Sequence, residues 1–437
     1  MPQDTSRPVP TSRAGRMWRL SSLTGGVVAG SLATGLRHVA QGQRPRLSDM
    51  VLTPANAQRV ARDLGQLRGA AMKMGQLLSM DTGTILPPEM TAILSALRAD
   101  APPMPPAQLR AVLNAEWGPD WHRHFARFDV RPFAAASIGQ VHRAQTRDGR
   151  DLAVKVQYPG VRASIDSDLA NLAALLRVPG LLPKGLDLTP MLEEARRALH
   201  LEANYRAEAE ALCAFHTALA GDPDFTLPDL HADLTTGNVL AMSFMQSQPI
   251  DALVDAPQAT RDHVAGTLIR LVLRELFDFR RMQTDPNLAN YRYDPATGRV
   301  VLLDFGAAMA IDPDLSARFR RLLQAALYGD RAEVRAAMQD VGYFSADTAP
   351  AHQDVIQSMF DMAMGPCRMT APFDFGTSDL PERVRDMGLA LGAERDLTHL
   401  PPAETLFLHR KIGGIYLLAA KLRARVALRG ILEPYAV

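Results

Sequence analysis

One ordered set of residues constrains this chain more than any other. Asp285 is followed five residues later by Asn290, and after a connecting stretch an apolar run, Val300-Val301-Leu302-Leu303, ends in Asp304-Phe305-Gly306. A tight loop of this kind presents one carboxylate near a transferring phosphoryl group and one amide oxygen to a magnesium ion. A second carboxylate, at the end of the next strand, then reaches the metal from the other side. No single element decides, but the ordered set marks a chain that handles nucleotides.

The same order, Asp-x-x-x-x-Asn and then Asp-Phe-Gly, is the spacing of the protein-kinase catalytic and metal-binding loops. It casts Asp285 as the catalytic carboxylate, and Asn290 and Asp304 as the Mg²⁺ ligands. A second triplet, Asp374-Phe375-Gly376, has no apolar strand before it and no Asp-x-x-x-x-Asn at loop distance. Context rather than the triplet carries the inference, so the second one reads as a turn.

Upstream, Asp151-Leu152-Ala153-Val154-Lys155-Val156 alternates as a half-buried strand does, with a lysine inside the run. A buried ammonium is costly without an anionic partner. In a kinase such a lysine clamps the α- and β-phosphates and is held by a helix glutamate. The segment before it, Phe133-Ala134-Ala135-Ala136-Ser137-Ile138-Gly139-Gln140-Val141, stands where a kinase has a Gly-x-Gly-x-x-Gly hairpin. Alanines allow a close but less permissive approach to phosphates, with Ser137 and nearby backbone N–H groups as donors. A small-residue turn between strands is the alternative.

Leu64, Leu67, Ala71, Met74, Leu77 and Leu78 recur at three- and four-residue steps and predict a helix. On its own pattern Lys73-Met74-Gly75-Gln76 is then partly the polar face of that helix. Glu202 and Glu208 are about a third of a turn out of phase if they share a helix, which calls for different partners. The pattern leaves open which of them meets Lys155 and which faces Lys73.

With 437 residues the chain is long enough for two lobes and an extension. A net charge of +1 and the lack of long basic runs with aromatics argue against nucleic acid as a main partner. Cys213 and Cys367 have no motif spacing, as in a reducing compartment, and the histidines show no metal-ligand pattern. Pro2 to Arg19 is polar and arginine-bearing and reads as disordered. Leu20 to Leu36 is uncharged, bracketed by Arg19 and Arg37, and contains a Gly26-x-x-x-Gly30 step. It suits a short membrane span or a pairing helix that makes a homodimer, and equally a buried or surface helix. A cleaved signal peptide fits less well, whereas the arginines also suit a mitochondrial transit segment.

Ala134-Ala135-Ala136-Ser137, Lys73-Met74-Gly75-Gln76 and Met282-Gln283-Thr284-Asp285-Pro286-Asn287 together make the chain resemble the UbiB/AarF family of atypical kinase-like proteins. The Gln-Thr-Asp-Pro-Asn form resembles the branch that supports coenzyme Q biosynthesis. Lys155 to Val161 and Leu408-His409-Arg410-Lys411-Ile412-Gly413-Gly414 extend the similarity over roughly residues 20 to 430. The resemblance implies an α+β, two-lobed protein-kinase-like fold with a helical N-terminal extension packed over the active site. It implies that Lys73 and Gln76 face the nucleotide and that Gly75 lets the backbone pack closely. The family's Glu-x-Asp reads Glu202-Ala203-Asn204 here, one charge short.

The expected boundaries are 1–46 for the basic segment and short helix, 47–129 for the helical extension with a proline-rich break at Ala101 to Pro106, 130–245 for the N-lobe and 246–437 for the helical C-lobe. Met242, Phe244 and Met245 would form the hinge that receives adenine. The resemblance implies an ATP- and Mg²⁺-dependent kinase-like ATPase supporting ubiquinone biosynthesis. Its partners would be quinone-pathway enzymes or lipid at a membrane surface, in the cytoplasm against a bacterial inner membrane or on the matrix side in a mitochondrion. A protein or small-molecule kinase, and a non-catalytic nucleotide- or lipid-binding scaffold, are the alternatives.

Overall fold

The computed structural model describes residues 69, 73, 103–176, 189–285, 287–392 and 403–437. The expectations for residues 1–46, for the 20–36 helix and for Gly75 and Gln76 lie outside the described residues. Spatial clustering divides the chain into two units. The first takes the described residues up to Cys213 together with Asp229–Phe244, and the second takes Ala214–Pro228 with Met245–Val437.

In the first unit, helix α1 (Pro106–Trp117) opens with proline in its first turn, where the missing N–H costs nothing. Strands β1 (Phe125–Phe128), β2 (Ala134–Ala135), β3 (Gly139–Thr146) and β4 (Asp151–Gln157) follow, then helices α2 (Val161–Leu176), α3 (Thr189–Glu202) and α4 (Tyr205–Ala218), whose residues from Ala214 on belong to the second unit. The antiparallel sheet runs β1-β3-β4 and then a later strand, Val239–Ser243, with β2 paired to β3. A helical extension was expected as far as residue 129, but Phe125–Phe128 is a strand that pairs with β3. The aromatic pattern explains this, because Phe125 and Phe128 pack against Trp117 and Trp121 with ring centroids 5.1–6.1 Å apart. Their burial offsets what a last helical turn would have gained.

The unit's core gathers Leu109, Leu113, Phe125, Leu152, Val154, Val156, Val239 and Ala241, all buried. A polar strut crosses it. The Met104 N–H donates to Gln140 Oε1 at 2.9 Å, and Gln140 Nε2 lies 2.9 Å from His142 Nε2. His142 Nδ1 lies 2.8 Å from the Asp129 carbonyl. That order makes His142 neutral with its proton on Nδ1, and burial pushes its pKa below the ordinary value.

The second unit begins with β5 (Phe225–Thr226) and, after the Val239–Ser243 strand (β6), continues through β7 (Gln248–Pro249) into helix α5 (Gln258–Phe277). Strands β8 (Arg281–Gln283), β9 (Tyr291–Asp294), β10 (Arg299–Leu302) and β11 (Ala308–Ala310) follow. The sheet order is β5-β10-β9-β7, and β8 pairs separately with β11. Helices α6 (Pro313–Tyr328) and α7 (Arg331–Val341) come next, each capped at its N-terminus by an aspartate, Asp312 and Asp330. Helix α8 (Pro350–Arg368), strand β12 (Phe373–Asp374), helices α9 (Leu380–Gly392) and α10 (Ala403–Lys421), strand β13 (Arg425–Val426) and helix α11 (Leu428–Leu432) complete the unit. Among the described residues, no helix is long and apolar enough to cross a membrane.

Candidate functional site

Lys155 lies in β4 between Val154 and Val156, both fully buried. Its Nζ donates to Glu208 Oε1 at 2.8 Å and Oε2 at 3.0 Å, with the two side chains only 9% and 1% exposed. The Tyr205 ring centroid lies 5.1 Å from the same ammonium. Glu208 stands in the first turn of α4, where the helix dipole favours a carboxylate. The dry pair is weak ground for stability but fixes where the lysine head sits.

Glu202 does not share that helix. The chain breaks between α3 and α4, and Asn204 caps the new start, its Oδ1 accepting the Ala207 N–H at 3.3 Å. Asparagine caps a helix as well as aspartate, so the missing charge costs nothing in this contact. Glu202 receives the other lysine: Lys73 Nζ donates to Oε1 at 2.5 Å, and the Ser137 hydroxyl donates to Oε2. Lys73 is 3% exposed. The two lysines thus take the two glutamates separately, Lys155 with Glu208 and Lys73 with Glu202.

The alanine-rich segment is an edge of the sheet. Ala134 and Ala135 form β2 with exposed side chains, and the Ala136 N–H donates to the Gly139 carbonyl at 2.9 Å. A Cβ on Gly139 would lie 2.5 Å from the Val156 carbonyl oxygen, so only glycine allows β3 to start this close to β4. Gly69, helical like Lys73, approaches the same segment: a Cβ there would lie 3.0 Å from Ile138 Cγ2 and 3.3 Å from the Ser137 carbonyl oxygen. Gly69 thus makes a close approach of its own, which only a contact to a loop some seventy residues away identifies.

Of the expected hinge residues, Met242 is buried in β6 opposite Ala153. The Phe244 N–H donates to the Asp151 carbonyl at 2.9 Å, and the Arg143 guanidinium covers its ring at 4.1 Å. Met245 begins the second unit.

The second unit brings Asp285, Asn290 and Asp304 together around one glutamine. Gln283 Oε1 accepts the Asp285 N–H at 2.6 Å, while Gln283 Nε2 donates to the Asp304 main-chain carbonyl at 3.0 Å. A second tie runs from the Leu303 N–H to the Asn290 carbonyl, 3.2 Å. Asn290 Nδ2 donates to the main-chain oxygen and to Oδ2 of Asp285, 3.4 Å from each, so its amide oxygen, Oδ1, is the atom Asn290 can offer a cation. Asp304 Oδ1 accepts the Gly306 N–H at 3.0 Å, and the Phe305 ring packs on Phe215 with centroids 5.2 Å apart. One carboxylate and one amide oxygen suit a hard cation that takes its remaining ligands from phosphate and water. Among the described residues no cluster of three or more His, Cys, Asp or Glu could hold a metal by itself. Gln283 lies in the Gln-Thr-Asp-Pro-Asn segment, but a side chain that bridges two main-chain segments leaves no spacing signal of its role.

A family model described as the ABC1 atypical kinase-like domain matches residues 96–338. The yeast protein named atypical kinase COQ8, mitochondrial (Saccharomyces cerevisiae), is 39% identical over 426 residues, which cover 96% of this chain and 84% of that protein. Atypical kinase COQ8B, mitochondrial, from Rattus norvegicus is 37% identical over 429 residues, covering 98% of this chain and 81% of the relative. Among solved structures, the Rv3197–erythromycin complex from Mycobacterium tuberculosis superposes with a TM-score of 0.59 at 25% identity, over 88% of this chain and 97% of that one.

Proposed function

The chain belongs to the ABC1 atypical kinase-like family, and from that premise we propose that it is a Mg²⁺-dependent ATPase supporting ubiquinone biosynthesis. The observation that carries the reading is the Lys155–Glu208 pair, a buried ammonium held in one place by two hydrogen bonds. In this reading Lys155 grips phosphate oxygens. Asp304 and Asn290 offer oxygens to Mg²⁺, and Asp285 orients the attacking group. The metal, when bound, neutralises charge on the phosphates. Met242, Phe244 and Met245 receive the adenine, and the segment from Ala134 to Ser137 covers the phosphates.

Water rather than a peptide is the acceptor we propose. Gly69 and Lys73 place a helix against the alanine-rich segment, and Lys73 is committed to Glu202 beside Ser137. Phosphoryl transfer rests on positioning and electrostatics, so a crowded loop with an altered phosphate grip disfavours transfer to a second protein. Quinone-pathway enzymes, or lipid at an inner-membrane surface, are the proposed partners, as suits a pathway with isoprenoid intermediates.

The test is the quinone content of a host lacking its own gene of this family. Wild type should restore it and Asp304→Asn should not. Equal rescue by both would refute the reading. Efficient phosphorylation of a generic protein substrate, abolished by Asp285→Asn, would replace the ATPase with a protein kinase.

A further inference from the structure

Helix α5 carries a charge on its apolar face. Glu275 stands between Val272 and Leu276, both buried, and is itself 1% exposed. Its counter-ion comes from 136 residues further along the chain, where Lys411 of α10 brings Nζ to 2.8 Å from Glu275 Oε2 and 3.1 Å from Oε1. Burial by itself would depress the lysine's pKa, but the Glu275 carboxylate beside it holds the ammonium above its ordinary range. Replacing such a dry pair with apolar residues is often neutral or stabilising, so stability alone does not account for two buried charges.

What the pair touches does account for them. Lys411 Nζ also donates to the Gln283 main-chain carbonyl at 3.0 Å, and Glu275 Oε1 accepts the Gln283 N–H at 3.4 Å. Both polar backbone atoms of Gln283 are thus held by the ion pair, and the Gln283 side chain holds the Asp285 N–H and the Asp304 carbonyl. The Tyr291 ring, next to Asn290 in the chain, lies 5.5 Å from the same ammonium. We propose that Glu275 and Lys411 are a positioning pair that clamps Gln283, and through it sets the spacing of the Asp285 loop and the Asp304 turn. The inference rests on the reading that Asp285 and Asp304 serve phosphoryl chemistry. A displacement of about 1 Å at such groups can cost about a hundredfold in rate.

The test compares two double variants of the full chain with wild type. Glu275→Met/Lys411→Met removes both charges and the clamp. Glu275→Gln/Lys411→Gln removes the charges but keeps a donor and an acceptor for Gln283. Each is read by melting temperature, by hydrogen exchange of a peptide spanning 283–292, and by kcat and KM for ATP. With melting temperatures near wild type, the methionine pair should exchange faster in 283–292 and lose at least about tenfold in kcat, with KM moved less than about threefold. The glutamine pair should recover most of both losses. Methionine and glutamine pairs with the same exchange and the same kcat would overturn the clamp. Faster exchange in the methionine pair, with no ATP hydrolysis in wild type, would support the clamp while refuting the ATPase reading. If the methionine pair does not fold, Lys411→Arg decides. It keeps the charge but moves the donor, and unchanged exchange in 283–292 would overturn the proposal.

Discussion

Asp304-Phe305-Gly306 and Asp374-Phe375-Gly376 share one local contact and a buried ring. In each, the aspartate Oδ1 accepts the glycine N–H at 3.0 Å, and in each the phenylalanine is buried, 2% and 4% exposed. Their surroundings differ. Asp304 follows the buried strand β10 and is tied through Gln283 to the loop bearing Asp285, and through Leu303 to Asn290. Asp374 belongs to the two-stranded β12–β13 ribbon, and its second oxygen accepts from Arg425 Nε at 2.9 Å. Phe375 packs on Phe373 and Tyr416, with centroids 4.9 and 5.0 Å away. Three residues bring one shared hydrogen bond; everything else that reaches them comes from elsewhere in the fold and differs.

The sharpest way to break this contrast is to remove one charge from each turn. Asp304→Asn should lower Mg²⁺-dependent ATP turnover by about a hundredfold or more, a size usual for the loss of one electrostatic group at a reacting centre. Asp374→Asn should leave turnover within about twofold. A comparable loss in both, at equal stability, would mean that the second triplet also serves the chemistry.

The phenylalanines should instead behave alike. Phe305→Ala and Phe375→Ala each empty a buried aromatic site, and each should cost about 3–5 kcal/mol in denaturant unfolding of the second unit. A cost confined to Phe305 would mean that the second turn is packed only loosely.

Acid should act away from both turns. His142 is buried and neutral in β3, its pKa below the ordinary value because of desolvation. The unfolded chain therefore takes up this proton first, as pH falls through about 6.5. The stability held by the neutral ring is present above that pH and is lost as pH falls below it. The His142 ring resonances in NMR should titrate with a midpoint below 6.5, and a midpoint above it would contradict the strut through Gln140 and Met104.

The smallest effect belongs to Arg425→Ala. The Arg425–Asp374 pair is largely exposed, 61% and 31% at the side chains, so its loss should cost under about 1 kcal/mol in the same unfolding measurement.

Sequence made one side of the contrast legible. The apolar run before Asp304, the spacing to Asp285 and Asn290, and the lysine inside β4 each leave a local pattern, and the first triplet could be told from the second by context alone. The spacing leaves the glutamate partners open, because Asn204 starts a new helix between Glu202 and Glu208. Nor did the strand at Phe125–Phe128, whose reason is aromatic packing against a preceding helix. Gly69, Gln283, Glu275 and Lys411 were silent for one shared cause. Each acts through a contact distant in the chain or through a main-chain atom, and neither has a periodicity.

Lys411 has a consequence for how the protein is made. The matched kinase-like domain ends at residue 338, so Asp285, Asn290 and Asp304 have all left the ribosome while the lysine that neutralises Glu275 has not yet been translated. At ~5–20 residues per second, the 136 residues between Glu275 and Lys411 take on the order of ten seconds to synthesise. Through that interval α5 must either keep Glu275 protonated or leave its apolar face unsealed, and a nascent chain holding every nucleotide motif is not yet a finished domain. A premature stop after Gly306 and before Lys411 would release a product that carries the motifs with a stranded carboxylate at its centre.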